Sequence, residues 1–122
     1  MKEEKNIETV KEFWSIFDER KYRDAEKLLH EEFEAHWVCT RERFNKEEFI
    51  KVNEDYPSRW RTVLKRSYVS GDQVISIVHI FSPDAADQFY ATSIFTFDDD
   101  KIIEIEEYWA AVEAPPEWRK KK

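Results

Sequence analysis

Glycine is almost missing from this chain of 122 residues: there is one, Gly71. Both common phosphate-cradling loops need several glycines at fixed spacing, so nucleotide binding through either is excluded. Cysteine is as scarce. Cys39 stands alone, which excludes an internal disulfide and fits a reducing compartment. No apolar run approaches the length of a membrane span, and the stretch MKEEKNIETV at the amino end lacks the apolar core of a secretory leader. The expectation is therefore a cytoplasmic protein with no membrane partner. Positive charge is in deficit, with 20 Lys and Arg against 27 Asp and Glu and a net charge of −7. That is the opposite of a nucleic-acid footprint. The basic end, Arg119 to Lys122, reads as a solvated, flexible tail.

Aromatic residues, by contrast, are plentiful. Nine Phe, five Trp and five Tyr exceed what a plain core of this size needs, so some are free to line a cavity. The length suits one domain, residues 1–122, built on a single core. No linker, internal repeat or low-complexity block divides it.

Apolar residues Ile7, Val10, Phe13, Trp14 and Phe17 recur at helical spacing from about Glu4 to Asp18 and form one wide stripe. A shorter helix follows, with Tyr22, Ala25, Leu28 and Leu29 inward. Phe33, Ala35 and Trp37 then alternate with Glu34, His36 and Val38, predicting a strand from Phe33 to Cys39. Asn45, with Glu48 three residues on, is a helix-start signature. The helix shows Phe49, Val52 and Tyr56 on one side, and Pro57 stops it. Beyond that the period is two. Strands are predicted at Trp60–Val69, Gln73–Ser82, Gln88–Phe97 and Ile102–Ala110, joined by turn material and so antiparallel to their neighbours. Helices gathered in front of a meander of long strands read as α+β.

The final hairpin carries the one hint of chemistry. A three-residue loop, Asp98 to Asp100, pairs Phe97 with Lys101, Phe95 with Ile103, Ser93 with Ile105, Ala91 with Glu107 and Phe89 with Trp109. A two-residue loop shifts each partner by one and sets Glu107 beside Thr92. In either case Glu107 shares a face with Ile105 and Trp109, and that face is otherwise apolar. Burial there disfavours the charged carboxylate and raises its pKa, which suits a general acid or base. The competing explanation is structural: Glu107 tied to an arginine such as Arg66, to a helix hydroxyl or to a tryptophan N–H.

The order helix–helix–strand–helix–four strands, with FEAHWVCTRERF before the capped helix, YPSRW at Tyr56 to Trp60, and KIIEIEEYW followed by APPEWR, resembles the nuclear transport factor 2-like superfamily in its SnoaL-like branch. The resemblance implies a cone-shaped, curved mixed or antiparallel sheet wrapped around three N-terminal helices (a cystatin-like α+β barrel), with a cavity at the open end. It also implies dimers in many members, and activities that range from isomerases, cyclases, dehydratases and hydrolases to adaptors with none. Asp99–Asp100 stands where the family commonly has Asp-Gly, so an aspartate must adopt the left-handed conformation. Ketosteroid isomerases, which this layout resembles, use a helix-one tyrosine, a first-strand aspartate and a penultimate-strand acid. The matching positions are Phe13, Trp37 and Ser93, so that chemistry is not expected. Epoxide hydrolases of the limonene type place an acid where Glu107 stands but need an Asp–Arg–Asp set that does not emerge.

The resulting candidate site has Glu107 as the catalytic group, with Phe13, Phe17, Trp37, Tyr56, Ala91, Ser93, Phe95, Ile105 and Trp109 as pocket. Ser93 and Tyr56 are its hydrogen-bond donors, and the expected ligand is a small hydrophobic or aromatic molecule. No metal or cofactor is expected: His30, His36 and His79 are scattered, and the aspartates at 98–100 are turn chemistry. Cys39 is expected to be a buried thiol. Ile75, Ile77 and Phe81 alternate with Val74, Ser76, Val78 and Ile80, making that strand apolar on both faces. The second face needs cover, so a homodimer through the outer sheet face is expected, the alternative function being a non-catalytic binding or adaptor module.

Overall fold

The computed structural model describes residues 1–121. Helix α1 (Lys2–Asp18) comes first, then a 3-10 helix (Tyr22–Leu28), strands β1 (Leu29–Trp37) and β2 (Glu42–Asn45), and helix α2 (Lys46–Asp55). Strands β3 (Arg61–Ser70), β4 (Gln73–Ser82), β5 (Ala85–Asp98) and β6 (Lys101–Ala111) follow, and a short 3-10 turn (Glu117–Arg119) ends the regular structure. The strands form one sheet in the order β2-β1-β6-β5-β4-β3. Only β1 and β6 run parallel; every other neighbouring pair is antiparallel. The sheet curls around the helices without closing, because β2 and β3 remain edges. This is the α+β architecture expected, with an open sheet in place of a barrel.

The core lies between α1 and the concave face. Val10, Phe13, Trp14 and Phe17 are buried on the helix stripe, against Val74, Val78, Phe95 and Ile105. Phe13 is fully buried, stacked on Phe17 at 4.2 Å between ring centres and edge-on to Phe95 at 5.1 Å. Asn45 caps α2 as the sequence predicts: its side chain accepts from the Glu48 N–H while the Glu48 carboxylate accepts from the Asn45 N–H, both at 2.9 Å. The helix ends at Asp55, two residues before Pro57.

Several predicted details differ. The second helical segment is 3-10, because so short a stretch between Lys21 and Leu29 cannot repay the nucleation of an α-helix. Leu29 opens β1, which ends at Trp37, so Cys39 falls in the following turn and is exposed, not buried. Its Sγ accepts from the Trp109 N–H at 3.4 Å. The last hairpin has a two-residue tip, since Asp98 pairs with Lys101, and both tip aspartates take positive φ, 51° and 67°. That matches a hairpin turn twisted with its strands. A bulge then follows at Ile103: Phe97 pairs with Ile102 but Thr96 with Glu104. The extra residue undoes the expected pairing. Ser93, not Ala91 or Thr92, faces Glu107, while Ala91 faces Trp109 and Phe89 faces Ala111. Ile102 replaces Ile103 on the concave face, where it is fully buried.

The flexible tail expected at 119–122 is exposed as far as it is described, and its last residue, Lys122, lies outside the described residues. No helix among the described residues is long and apolar enough to cross a membrane.

Candidate functional site

Four strands put one residue each into a row across the concave face: Ser76 on β4 pairs with Ser93 on β5, Ser93 with Glu107 on β6, and Glu107 with Trp37 on β1. Ser76, Ser93 and Glu107 are buried polar side chains in an otherwise apolar core. The row is satisfied from both ends. The Trp37 Nε1–H donates to Glu107 Oε1 at 2.9 Å, Ser93 Oγ–H donates to Oε2 at 2.8 Å, and the Trp14 Nε1–H donates to Ser76 Oγ at 3.0 Å. Among the described residues no buried side-chain nitrogen or oxygen lacks a partner.

Glu107 is thus held by two neutral donors and, among the described residues, by no cation. Burial pushes its carboxyl pKa up, and the hydrogen bonds from Ser93 and then Trp37 pull it part of the way back. Of the structural partners expected for it, the tryptophan N–H is present and Arg66 is not. Arg66 pairs with Ile77 on the convex face and donates to the Tyr68 hydroxyl at 3.2 Å. An indole N–H can only donate, so Oε1 stays an acceptor in either protonation state. A hydroxyl can reverse, so a proton on Glu107 belongs on Oε2, with Ser93 Oγ turning to accept it.

Glu107 also lines a cavity of about 150 Å³ that opens between α1, the 3-10 helix, α2 and the sheet. Of the sequence-predicted pocket residues, Phe17, Trp37, Tyr56 and Trp109 line this cavity. Phe13, Ala91, Phe95 and Ile105 do not; all four are fully buried, Phe13, Phe95 and Ile105 within the core cluster and Ala91 opposite Trp109, and Ser93 stands beside Glu107 on the next strand as its donor. Sequence reasoning did not assign Trp14, Tyr22, Asn53, Trp60, Thr62, Ile80 and Phe89 to the lining. Trp14 lies on the same helical stripe as Phe13 and Phe17, and Trp60 closes the YPSRW motif, but spacing alone does not say which end of a stripe meets the open end of a curled sheet.

The rings form a chain around the opening. Trp109 meets Trp37 edge-on at 4.7 Å between centres, Trp37 faces Tyr56 at 6.4 Å, Tyr56 faces Trp60 at 6.3 Å, and Trp60 faces Phe89 at 5.8 Å. Polar groups on the lining are few. Asn53 spends one of its two amide N–H groups on the Phe49 carbonyl at 2.8 Å, leaving the other and its side-chain oxygen, and Thr62 donates to the Trp14 carbonyl at 3.2 Å. Burial raises the pKa of the Tyr22 phenol, with Arg20 opposing it. The three histidines lie apart from this site, and among the described residues no group of three or more His, Cys, Asp or Glu has the geometry of a metal site.

Residues 10–105 match the family model of the SnoaL-like domain. The chain belongs to the SnoaL-like family. The match ends two residues before Glu107, so the carboxylate of this SnoaL-like domain is argued from its own surroundings. No curated protein matches the chain. Among solved structures it is similar to an NTF-2-like protein of unknown function from Burkholderia xenovorans, with a TM-score of 0.86 at 18% identity over 98% of this chain and 93% of that one. A Kribbella flavida protein provisionally named a ketosteroid isomerase gives 0.84 at 17% identity, over 98% and 90% of the two chains. An LEH-like epoxide hydrolase from M. tuberculosis gives 0.77 at 14%, over 90% and 86%. At these identities the likeness is one of fold.

Proposed function

We propose that this SnoaL-like protein binds a small, largely hydrophobic molecule in the aromatic cavity and that Glu107 moves a proton on it without a cofactor, as an isomerase, cyclase, dehydratase or hydrolase would. One observation carries the reading: a buried carboxyl with a raised pKa and no cationic partner stands on the wall of an apolar cavity. A group so placed, with its neutral form favoured by burial, suits a general acid or base. The site supports this role through Ser93, which can follow the proton on Oε2, and through Tyr56, whose ring lines the cavity. The positions that the ketosteroid isomerase resemblance gives to two acids, 37 and 93, here carry two donors aimed at a third acid. This favours a single-carboxylate chemistry.

A specific observation also favours a second reading, a non-catalytic binder: both Glu107 oxygens already have donors, as in a structural network. Titration of the Glu107 carboxyl by NMR, assigned with Glu107→Gln, decides between them. A raised midpoint that moves when benzyl alcohol is added supports the proton-transfer reading. A midpoint in the ordinary carboxylate range, indifferent to the alcohol, leaves only the binder or adaptor.

The protein is further proposed to be a homodimer through the convex sheet face, where Tyr68, Ile75, Tyr90 and Tyr108 are exposed together with the half-buried Ile77 and Ile94. A reducing, cytoplasmic setting fits its single unpaired thiol.

A further inference from the structure

The charge balance of the cavity narrows its occupant. Among the described residues that line it, none is lysine, arginine or histidine, and Glu107 is the one acid. Arg20 acts on the Tyr22 phenol and not on the Glu107 carboxyl. Nothing on these walls therefore offers a counter-charge to an anionic ligand, and desolvating one beside Glu107 would be strongly unfavourable. Each Glu107 oxygen accepts one hydrogen bond within the protein, and a carboxylate oxygen can accept two, so acceptor capacity remains. The rings of Trp37, Tyr56, Trp60 and Trp109 line the same space, and aromatic π systems attract cations. Trp37 belongs to both features, since its N–H holds the carboxylate and its ring belongs to the wall.

We infer that the occupant of this cavity is a small organic amine, bound as the ammonium with its N–H groups on Glu107 and its alkyl or aryl body against the tryptophan and tyrosine rings. The inference rests on the proposed ligand-binding role of the cavity and names the ligand class. Size sets a limit as well. A dry cavity of roughly 150 Å³ accommodates a benzene-sized molecule, and this one has about that volume. The body is thus a single ring or a short branched chain, and anything longer must protrude through the opening. The acidic balance of the chain, −7 overall, favours the approach of a cation to the opening.

The test uses three probes of one shape: benzylamine, benzyl alcohol and benzoate. Binding is read by tryptophan fluorescence and by saturation-transfer NMR on the parent protein and on Glu107→Gln. That variant keeps an oxygen for the Trp37 N–H and turns an N–H toward Ser93. Benzylamine is expected to bind about tenfold or more tighter than benzyl alcohol, the margin that a charge-assisted hydrogen bond and a desolvated cation–π contact supply together. Benzoate is expected to be the weakest, and Glu107→Gln to erase the amine's advantage while still binding the alcohol. If the alcohol or benzoate equals or exceeds the amine in the parent, the amine assignment is overturned while the ligand-binding reading stands. If none of the three binds, both fall. An amine preference that persists in Glu107→Gln removes Glu107 from the recognition. Should that variant fail to fold, the ranking of the three probes on the parent protein still decides.

Discussion

At the scale of the residue, Glu107 is governed by two opposed influences: burial, which favours the neutral acid, and two donors, which favour the anion. Burial prevails, so the folded chain holds this proton more tightly than the unfolded chain does. The contribution of Glu107 to stability is then best at low pH and is lost as pH rises from the ordinary glutamate value through the raised folded value. Glu107→Gln removes that dependence. At pH 7 the variant is expected to resist urea better than the parent by on the order of 1 kcal/mol, a gap that closes as pH is lowered toward the carboxylate range. A variant weaker than the parent at pH 7 would mean that the donors outweigh burial. Trp37→Phe keeps an aromatic ring, though a smaller one, and leaves Oε1 without its donor. Its expected cost is about 1–3 kcal/mol in the same denaturation, with the Glu107 midpoint moved further up in the NMR titration. The face of Glu107 and one of its alternative partners were legible in the alternation of KIIEIEEYW. Ser93 as the residue opposite was not, because a single bulged isoleucine shifts the pairing and alternation cannot register an extra residue that still leaves Ile105 and Glu107 facing inward.

At the scale of the element, the helices and the long strands could be read from their periods, and α2 from its cap. The bounds of β4 and the end of α1 at Asp18 were read correctly, whereas β1 begins and ends earlier than predicted and β5 begins earlier. Strand β2 is only four residues of mixed polarity, ERFN, and gives no period to detect. The Asn45–Glu48 capping box matters to the site because α2 contributes Asn53 and delivers Tyr56 to the cavity. Asn45→Ala is expected to lower stability by about 1 kcal/mol, measured as a shift in urea midpoint at unchanged slope. The carboxyl end of α1 is fastened differently. Asp18 accepts from the Arg61 guanidinium at 2.8 and 2.9 Å and from the Thr62 N–H at 2.8 Å, which pins the helix to β3 beside the cavity wall. These bonds, the Arg61 pairing first, hold the Asp18 carboxyl below its ordinary pKa although burial pulls the other way. Its stabilisation is therefore present above the ordinary aspartate value and is lost as pH falls toward the folded one, the reverse of the trend at Glu107.

At the scale of the molecule, the curled sheet has a helix-covered concave face and a convex face on which Tyr68, Tyr90, Tyr108 and Ile75 stand in the open. His79 stacks on Tyr90 at 5.0 Å within that convex surface. The proposed dimer covers it. Light scattering at micromolar concentration is expected to give twice the chain mass, and Ile75→Glu to give a folded monomer with unchanged near-ultraviolet circular dichroism. A parent that is monomeric at that concentration would reject the convex-face dimer.

The parallel pairing of β1 with β6 has a further consequence, in time. Strands β3 to β6 are joined by short hairpins and can assemble as soon as each is made, but β1, beyond its short local partner β2, reaches the rest of the sheet only through a strand some 70 residues further along the chain, Trp37 being matched to Glu107. Such distant pairings carry the larger share of the chain-closure entropy and form slowly. The front third of the chain, with its exposed aromatic stripe, must therefore wait for the last strand, and the contact that completes the sheet is also the one that sets the Trp37 N–H on the Glu107 carboxylate. The polar row that defines the site is, on this account, among the last parts of the protein to come into being.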